Sequence, residues 1–135
     1  MWTHEESIEI AAKPAKIWTI FADVPGWKRW NAGIEHIELH GSFSEGTSFT
    51  MKPPGVDAFT STLIEVQTDR LFTDETTIDE TTVVVTHRIE AIDAHHSKVT
   101  YGTMITGPDA SDIGPAITSD FGEVLASLKA LAERG

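Results

Sequence analysis

The hydrophobic and polar positions of this chain change their period twice, and the changes divide it into elements. Residues 2–10 alternate and end in Ile8-Glu9-Ile10, which predicts a first strand, because successive strand side chains point to opposite faces. A helical period follows, in which Ile17, Ile20, Phe21 and Val24 form one stripe with Trp18 beside it. Lys13-Pro14 opens this short helix, since proline is pre-set for the first helical turn. Pro25-Gly26 breaks it. A brief second helical turn then carries Trp27 and Trp30 and ends near Asn31-Ala32-Gly33.

From there to residue 108 the pattern is strand and turn. Strands are predicted over Gly33–His40, Thr47–Lys52, Ala58–Gln67, Arg70–Thr77, Thr81–Ile92 and Lys98–Thr106. Pro53-Pro54-Gly55 closes one strand, since a proline pair cannot sustain central pairing, and Gly107-Pro108 stops the last. The short connections imply an antiparallel meander. The final segment returns to helical spacing, with Ile117, Phe121, Val124, Leu125, Leu128, Leu131 and Ala132 on one face. Ser111 or Asp112 can cap its start, with Pro115 tolerated in the first turn.

A sheet with one polar face must bury the other, and the terminal helix is the long amphipathic element able to cover it. The expected class is therefore α+β. A curved antiparallel sheet of about seven strands surrounds a long C-terminal helix, with two short helices between strands one and two. Residues 1–135 read as one domain.

Composition narrows the function. Ten basic against 21 acidic side chains give a formal charge of −11, which repels phosphate backbones and disfavours nucleic acid and anionic membranes as partners. The absence of cysteine removes disulfides, thiolate nucleophiles and thiolate metal sites, and fits a reducing cytosol. The acidic N-terminus does not resemble a secretory signal, and no apolar run approaches the roughly 18 residues of a membrane span. A cytoplasmic location is the expectation.

The order of elements, with several local stretches, resembles the START-like (SRPBCC) superfamily, the helix-grip fold. Within it the chain is similar to small bacterial polyketide cyclase/dehydrase-type proteins. The stretches are Pro14-Ala15-Lys16-Ile17-Trp18, Asp23-Val24-Pro25-Gly26-Trp27-Lys28-Arg29-Trp30-Asn31, Gly46-Thr47-Ser48-Phe49, Thr86-His87-Arg88-Ile89-Glu90 and Thr106-Gly107-Pro108. The resemblance implies a ligand cavity between sheet and helix. It leaves polyketide ring closure, lipid or quinone binding, hormone binding and chaperone regulation all open, since fold alone does not choose among them. His95-His96-Ser97 replaces the family's usual glycine-threonine pair before the last strand.

Strand parity nominates inward residues. Val83, Val85 and Ile89 bring His87 with them, Ile37 and Leu39 bring Glu35, and Val99 and Ile105 bring Tyr101 and Thr103. Leu71 brings Thr73 and Glu75, although Phe72 argues for the opposite face. The interior would then hold Glu35, His87, Tyr101, Thr103 and Glu75 among Trp30, Phe49, Met51 and Phe121, with Thr103 opposite His87 across a hairpin. A buried carboxylate needs a partner, a water or a ligand.

This polar set could orient a ligand's carbonyl or hydroxyl, fix the core, or catalyse with His87 and Glu35 as an acid/base pair. Three functions follow: binding of a small hydrophobic molecule (lipid, quinone or aromatic polyketide-like), a cyclase or dehydratase, or a ligand-free interaction module. No cofactor or metal is expected. His36 and His40 lie about 13 Å apart along a strand, and His95-His96 sits in a turn without evident co-ligands. Phosphate-loop, serine-elbow and His-Glu-x-x-His motifs are absent. Met104 and Phe72, if on the outer face, would mark a homodimer contact.

Overall fold

A computed structural model describes residues 1–134. The chain runs β1 (Trp2–Ile10), α1 (Pro14–Ala22), a 3₁₀ turn (Val24–Arg29), β2 (His36–Leu39), β3 (Ser48–Lys52), β4 (Phe59–Gln67), β5 (Leu71–Ile78), β6 (Thr81–Ala91), β7 (Ser97–Thr106), α2 (Ala110–Thr118) and α3 (Phe121–Ala132). The strands form one seven-stranded sheet in the order β1-β7-β6-β5-β4-β3-β2, with every neighbouring pair antiparallel. Since β1 and β2 are opposite edges, α1 and the 3₁₀ turn must carry the chain across the full width of the sheet.

The gripped core follows from the two periods. Phe121, Val124, Leu125, Leu128 and Ala132 of α3 join Ile17, Trp18 and Phe21 of α1 and the inward strand residues Ile10, Phe49, Leu63, Phe72, Ile89, Val99 and Tyr101. Full burial of a side chain such as Phe21, Leu125 or Leu128 contributes roughly 1.5–3 kcal/mol. A second, smaller cluster under α2 joins Val83, Ile105 and Ala110 with Trp2, Ile113 and Ile117. There the indole of Trp2 lies where a side chain at position 114 would stand: a Cβ added to Gly114 would come within 2.4 Å of it.

The long C-terminal helix differs from expectation in two respects. It begins at Ala110, so Pro115 falls inside α2 rather than in its first turn. It also breaks at Ser119-Asp120. The hydroxyls of Thr118 and Ser119 donate back to the carbonyls of Gly114 and Ala116, at 3.1 and 2.9 Å, which is the competition that bends helices.

Two strand readings need correction. Phe72 does not lie on the outer face: it is 1 % exposed and belongs to the core, so it marks no dimer contact, whereas Met104 is 43 % exposed. The β6–β7 hairpin pairs His87 with Tyr101 and Val85 with Thr103, a register two residues from the one expected. In addition, β4 is irregular between Leu63 and Glu65, so its inward residues run Phe59, Ser61 and Leu63, then resume at Val66.

Candidate functional site

Between the concave face of the sheet, the 3₁₀ turn and the α2–α3 break lies a cavity of about 300 Å³. Its floor comes from alternate strand residues, chiefly Phe49 and Met51 of β3, Phe59 and Ser61 of β4, Phe72, Asp74 and Thr76 of β5, Val83, Val85 and His87 of β6 and Tyr101 of β7. Trp27, Trp30, Asn31 and Ile34 close one side, and Ile117, Asp120, Phe121 and Val124 close the other. The volume is twice the roughly 150 Å³ of an apolar cavity that admits benzene, which suits a molecule of one or two rings.

The aromatic wall is continuous. Trp27 stacks near Phe72 with centroids 5.6 Å apart, and Phe72 stacks on His87 at 4.0 Å and 8°. His87 meets the edge of Tyr101 at 4.6 Å, and Tyr101 meets Phe121 at 5.6 Å. Trp27 is anchored from behind by a 2.9 Å hydrogen bond from Nε1 to the Phe21 carbonyl. Edge and stacked contacts of this kind each add about 0.5–1.5 kcal/mol and hold the rings in place.

Within this wall sit three polar groups with distinct states. His87 Nδ1 donates to the Phe72 carbonyl at 3.2 Å, which fixes the tautomer and leaves Nε2 as the acceptor nitrogen. Burial lowers its pKa to about 4, the Phe72 hydrogen bond only partly opposing the shift. Burial raises Asp74 to about 7. The two approach at 3.9 Å, a distance that counts as an ion pair, yet burial drives both towards their neutral forms. We take the contact as one between a neutral imidazole and a carboxyl group, because 3.9 Å is too long for the hydrogen bond that would offset two buried charges.

Tyr101 is held in its phenol form by burial first, and then by the charges of Asp74 and Asp120. Its hydroxyl and the Asp74 carboxyl hydrogen-bond to no described residue, and neither is sealed in the protein interior, so both open on the cavity. Asp120 is itself raised, by burial and then by the negative charges of Glu123 and Glu6. The Ser61 and Thr76 hydroxyls satisfy each other.

Of the residues nominated from sequence, Trp30, Phe49, Met51, His87, Tyr101 and Phe121 lie on the cavity wall. Glu35 does not. A bend precedes β2, so Ile34 and Ile37 both turn inward, and the Glu35 side chain lies outside at 53 % exposure, paired with Lys52. Glu75 is also off the wall, because Phe72, Asp74 and Thr76 take the inward face of β5. Thr103 is buried, but its hydroxyl donates to the Val84 carbonyl at 3.0 Å and does not line the cavity.

Asp74 and Asp120 line the cavity without being nominated by strand parity. The alternation Phe72, Asp74, Thr76 signals the first, and Asp120-x-x-Glu123, a helix-start spacing, signals the second. No group of three or more His, Asp or Glu able to hold a metal ion occurs among the described residues. None of the described helices is long and apolar enough to cross a membrane.

The sequence pattern of the polyketide cyclase / dehydrase and lipid transport family matches residues 1–133. The chain belongs to this family. No curated protein matches it in sequence. Among solved structures it is similar to truncated norcoclaurine synthase from Thalictrum flavum, with TM-score 0.79, 16 % identity, and coverage of 99 % of this chain and 94 % of that one. It is also similar to the Zhui aromatase/cyclase from Streptomyces, with TM-score 0.78, 15 % identity, and coverage of 98 % and 94 %. A START superfamily protein from Mycobacterium smegmatis gives TM-score 0.77, 13 % identity, and coverage of 97 % of each chain. At such identities the likeness concerns the helix-grip fold.

Proposed function

We propose that the protein binds a small, largely apolar molecule of one or two rings in the cavity, through a polar substituent that meets Tyr101, Asp74 and the free nitrogen of His87. The observation that carries this reading is the Tyr101 hydroxyl, which belongs to a side chain 5 % exposed, opens on an apolar cavity and has no described partner. A hydroxyl that faces the cavity instead of a protein partner is free to bond a ligand's polar atom, in exchange for water. A cavity of about 300 Å³ speaks against the ligand-free module.

Calorimetric titration with a panel of one- and two-ring aromatic alcohols, ketones and amines tests it. Binding by at least one class, weakened about fivefold in Tyr101→Phe without loss of stability, is expected from the loss of one hydrogen bond. Absence of heat and of any thermal stabilisation across the panel would reject the reading.

A cyclase or dehydratase is the second reading, with Asp74 in the place first given to Glu35. It is favoured by the opposed shifts of Asp74 and His87, which set a protonatable carboxyl beside a neutral imidazole in one mostly apolar cavity. Asp74→Asn and His87→Gln should each slow turnover of a cyclisable substrate well over tenfold. Unchanged turnover in both would leave binding alone.

A further inference from the structure

The charge balance of the cavity narrows the ligand further. Its described wall contains two carboxyl groups, Asp74 and Asp120, and neither lysine nor arginine. The remaining basic side chain there is His87, which burial keeps neutral. Tyr101 stands within electrostatic reach of both carboxyls, since the charge on each opposes ionisation of its phenol. That phenol is an unpartnered polar group on a side chain 5 % exposed, aimed into the cavity.

An anionic head group would face two carboxyl groups, each repelling it when ionised, with no lysine or arginine on the described wall to neutralise it, whereas a cation beside Asp74 favours its ionised form. A neutral alcohol gains no Coulomb energy from either acid. A protonated amine has three donors for the Asp74 carboxyl and the Tyr101 hydroxyl. The surrounding aromatic rings favour a cation over their faces. The protein's formal charge of −11 also raises the local concentration of cations.

We infer that the cavity selects a small aromatic molecule bearing a protonated amine, with the ammonium held between Asp74 and the Tyr101 hydroxyl and the rings against Trp27, Phe72 and Phe121. This rests on the ligand-binding reading above and adds the chemical class. It also disfavours fatty acids and other carboxylates as occupants.

Three probes of equal shape separate the possibilities: naphthylmethylamine, naphthylmethanol and naphthoic acid, each titrated calorimetrically at neutral pH into the wild type, Asp74→Asn and Asp120→Asn. The amine should bind about tenfold or more tighter than the alcohol, and the acid should bind weakest. Asp74→Asn should bring the amine and alcohol within about threefold of each other, while Asp120→Asn reduces the preference less. An alcohol or acid that equals the amine in the wild type overturns the inference and leaves the cavity reading standing. So does an amine preference unchanged in both variants. If none of the three binds, the amine assignment fails, and failure of the wider aromatic panel as well removes the reading beneath it.

Discussion

Replacing Asp74 by asparagine keeps the shape of the side chain and removes its ability to ionise. In the folded protein burial raises its pKa from the ordinary 3.8 to about 7, with the side chain 13 % exposed. The sign follows from proton counting. Below the ordinary value both folded and unfolded chains hold the proton, and the group is neutral in the balance. Between 3.8 and about 7 the unfolded chain releases it and the folded chain keeps it, so stability falls as pH rises. Above about 7 both states are ionised and the full cost is present.

At about 1.4 kcal/mol per pKa unit, the difference corresponds to about 4 kcal/mol. That is a large share of the roughly 5–15 kcal/mol that separates folded from unfolded domains. Asp74→Asn should therefore be more stable than the wild type by about 4 kcal/mol near pH 8, and the gain should vanish towards pH 4. Urea denaturation followed by far-ultraviolet circular dichroism across that range measures it. A difference that does not change with pH, or an asparagine variant less stable at pH 8, would refute the assignment of Asp74 as a desolvated carboxyl.

Other perturbations read separate parts of the structure. His87→Gln should remove an acid sensitivity: the folded pKa of about 4 lies below the ordinary 6.5, so the wild type loses about 3 kcal/mol as pH falls through that window and the variant does not. Since His87 and Asp74 lie 3.9 Å apart, their effects should not add in the double variant. Gly114→Ala, which in an exposed helix interior would gain about 1 kcal/mol, should instead lose about 1–3 kcal/mol by urea denaturation, because the new Cβ meets the Trp2 ring. Glu35→Gln should change stability by less than about 1 kcal/mol and leave ligand affinity alone, since Glu35 forms an exposed pair with Lys52. A large effect on affinity would restore Glu35 to the site.

The architecture was legible because its signals extend over many residues. β1 ends in the alternation Ile8-Glu9-Ile10, and α3 repeats its apolar stripe over three turns. The errors lie where local structure breaks the period. Parity with Ile37 points Glu35 inward, but the strand starts at His36 and the bend before it resets the alternation. On β5 the neighbours Leu71 and Phe72 offer two equally apolar faces. The choice is settled by the partners of Phe72, namely Trp27, Phe43 and His87, which come from distant parts of the chain. Thr103 failed as a cavity residue because turn geometry between β6 and β7 sets the register, and a two-residue slip preserves parity while moving every partner. Asp120 reaches the cavity because it precedes the first residue of α3, at a helix break that the apolar stripe from Ile117 to Ala132 does not announce.

If the space between sheet and helix is a ligand site rather than a packing defect, a ligand should be felt at its wall and nowhere else. Amide NMR of the protein titrated with naphthylmethylamine and with naphthylmethanol tests it most directly, alongside a variant in which Val85→Phe fills the cavity from its floor. Shifts should be confined to the cavity wall, including the indole N–H of Trp30 and the amides around His87, Tyr101 and Phe121, and should be lost in the folded Val85→Phe protein. Shifts spread over the outer sheet face, or unchanged by Val85→Phe, would contradict it.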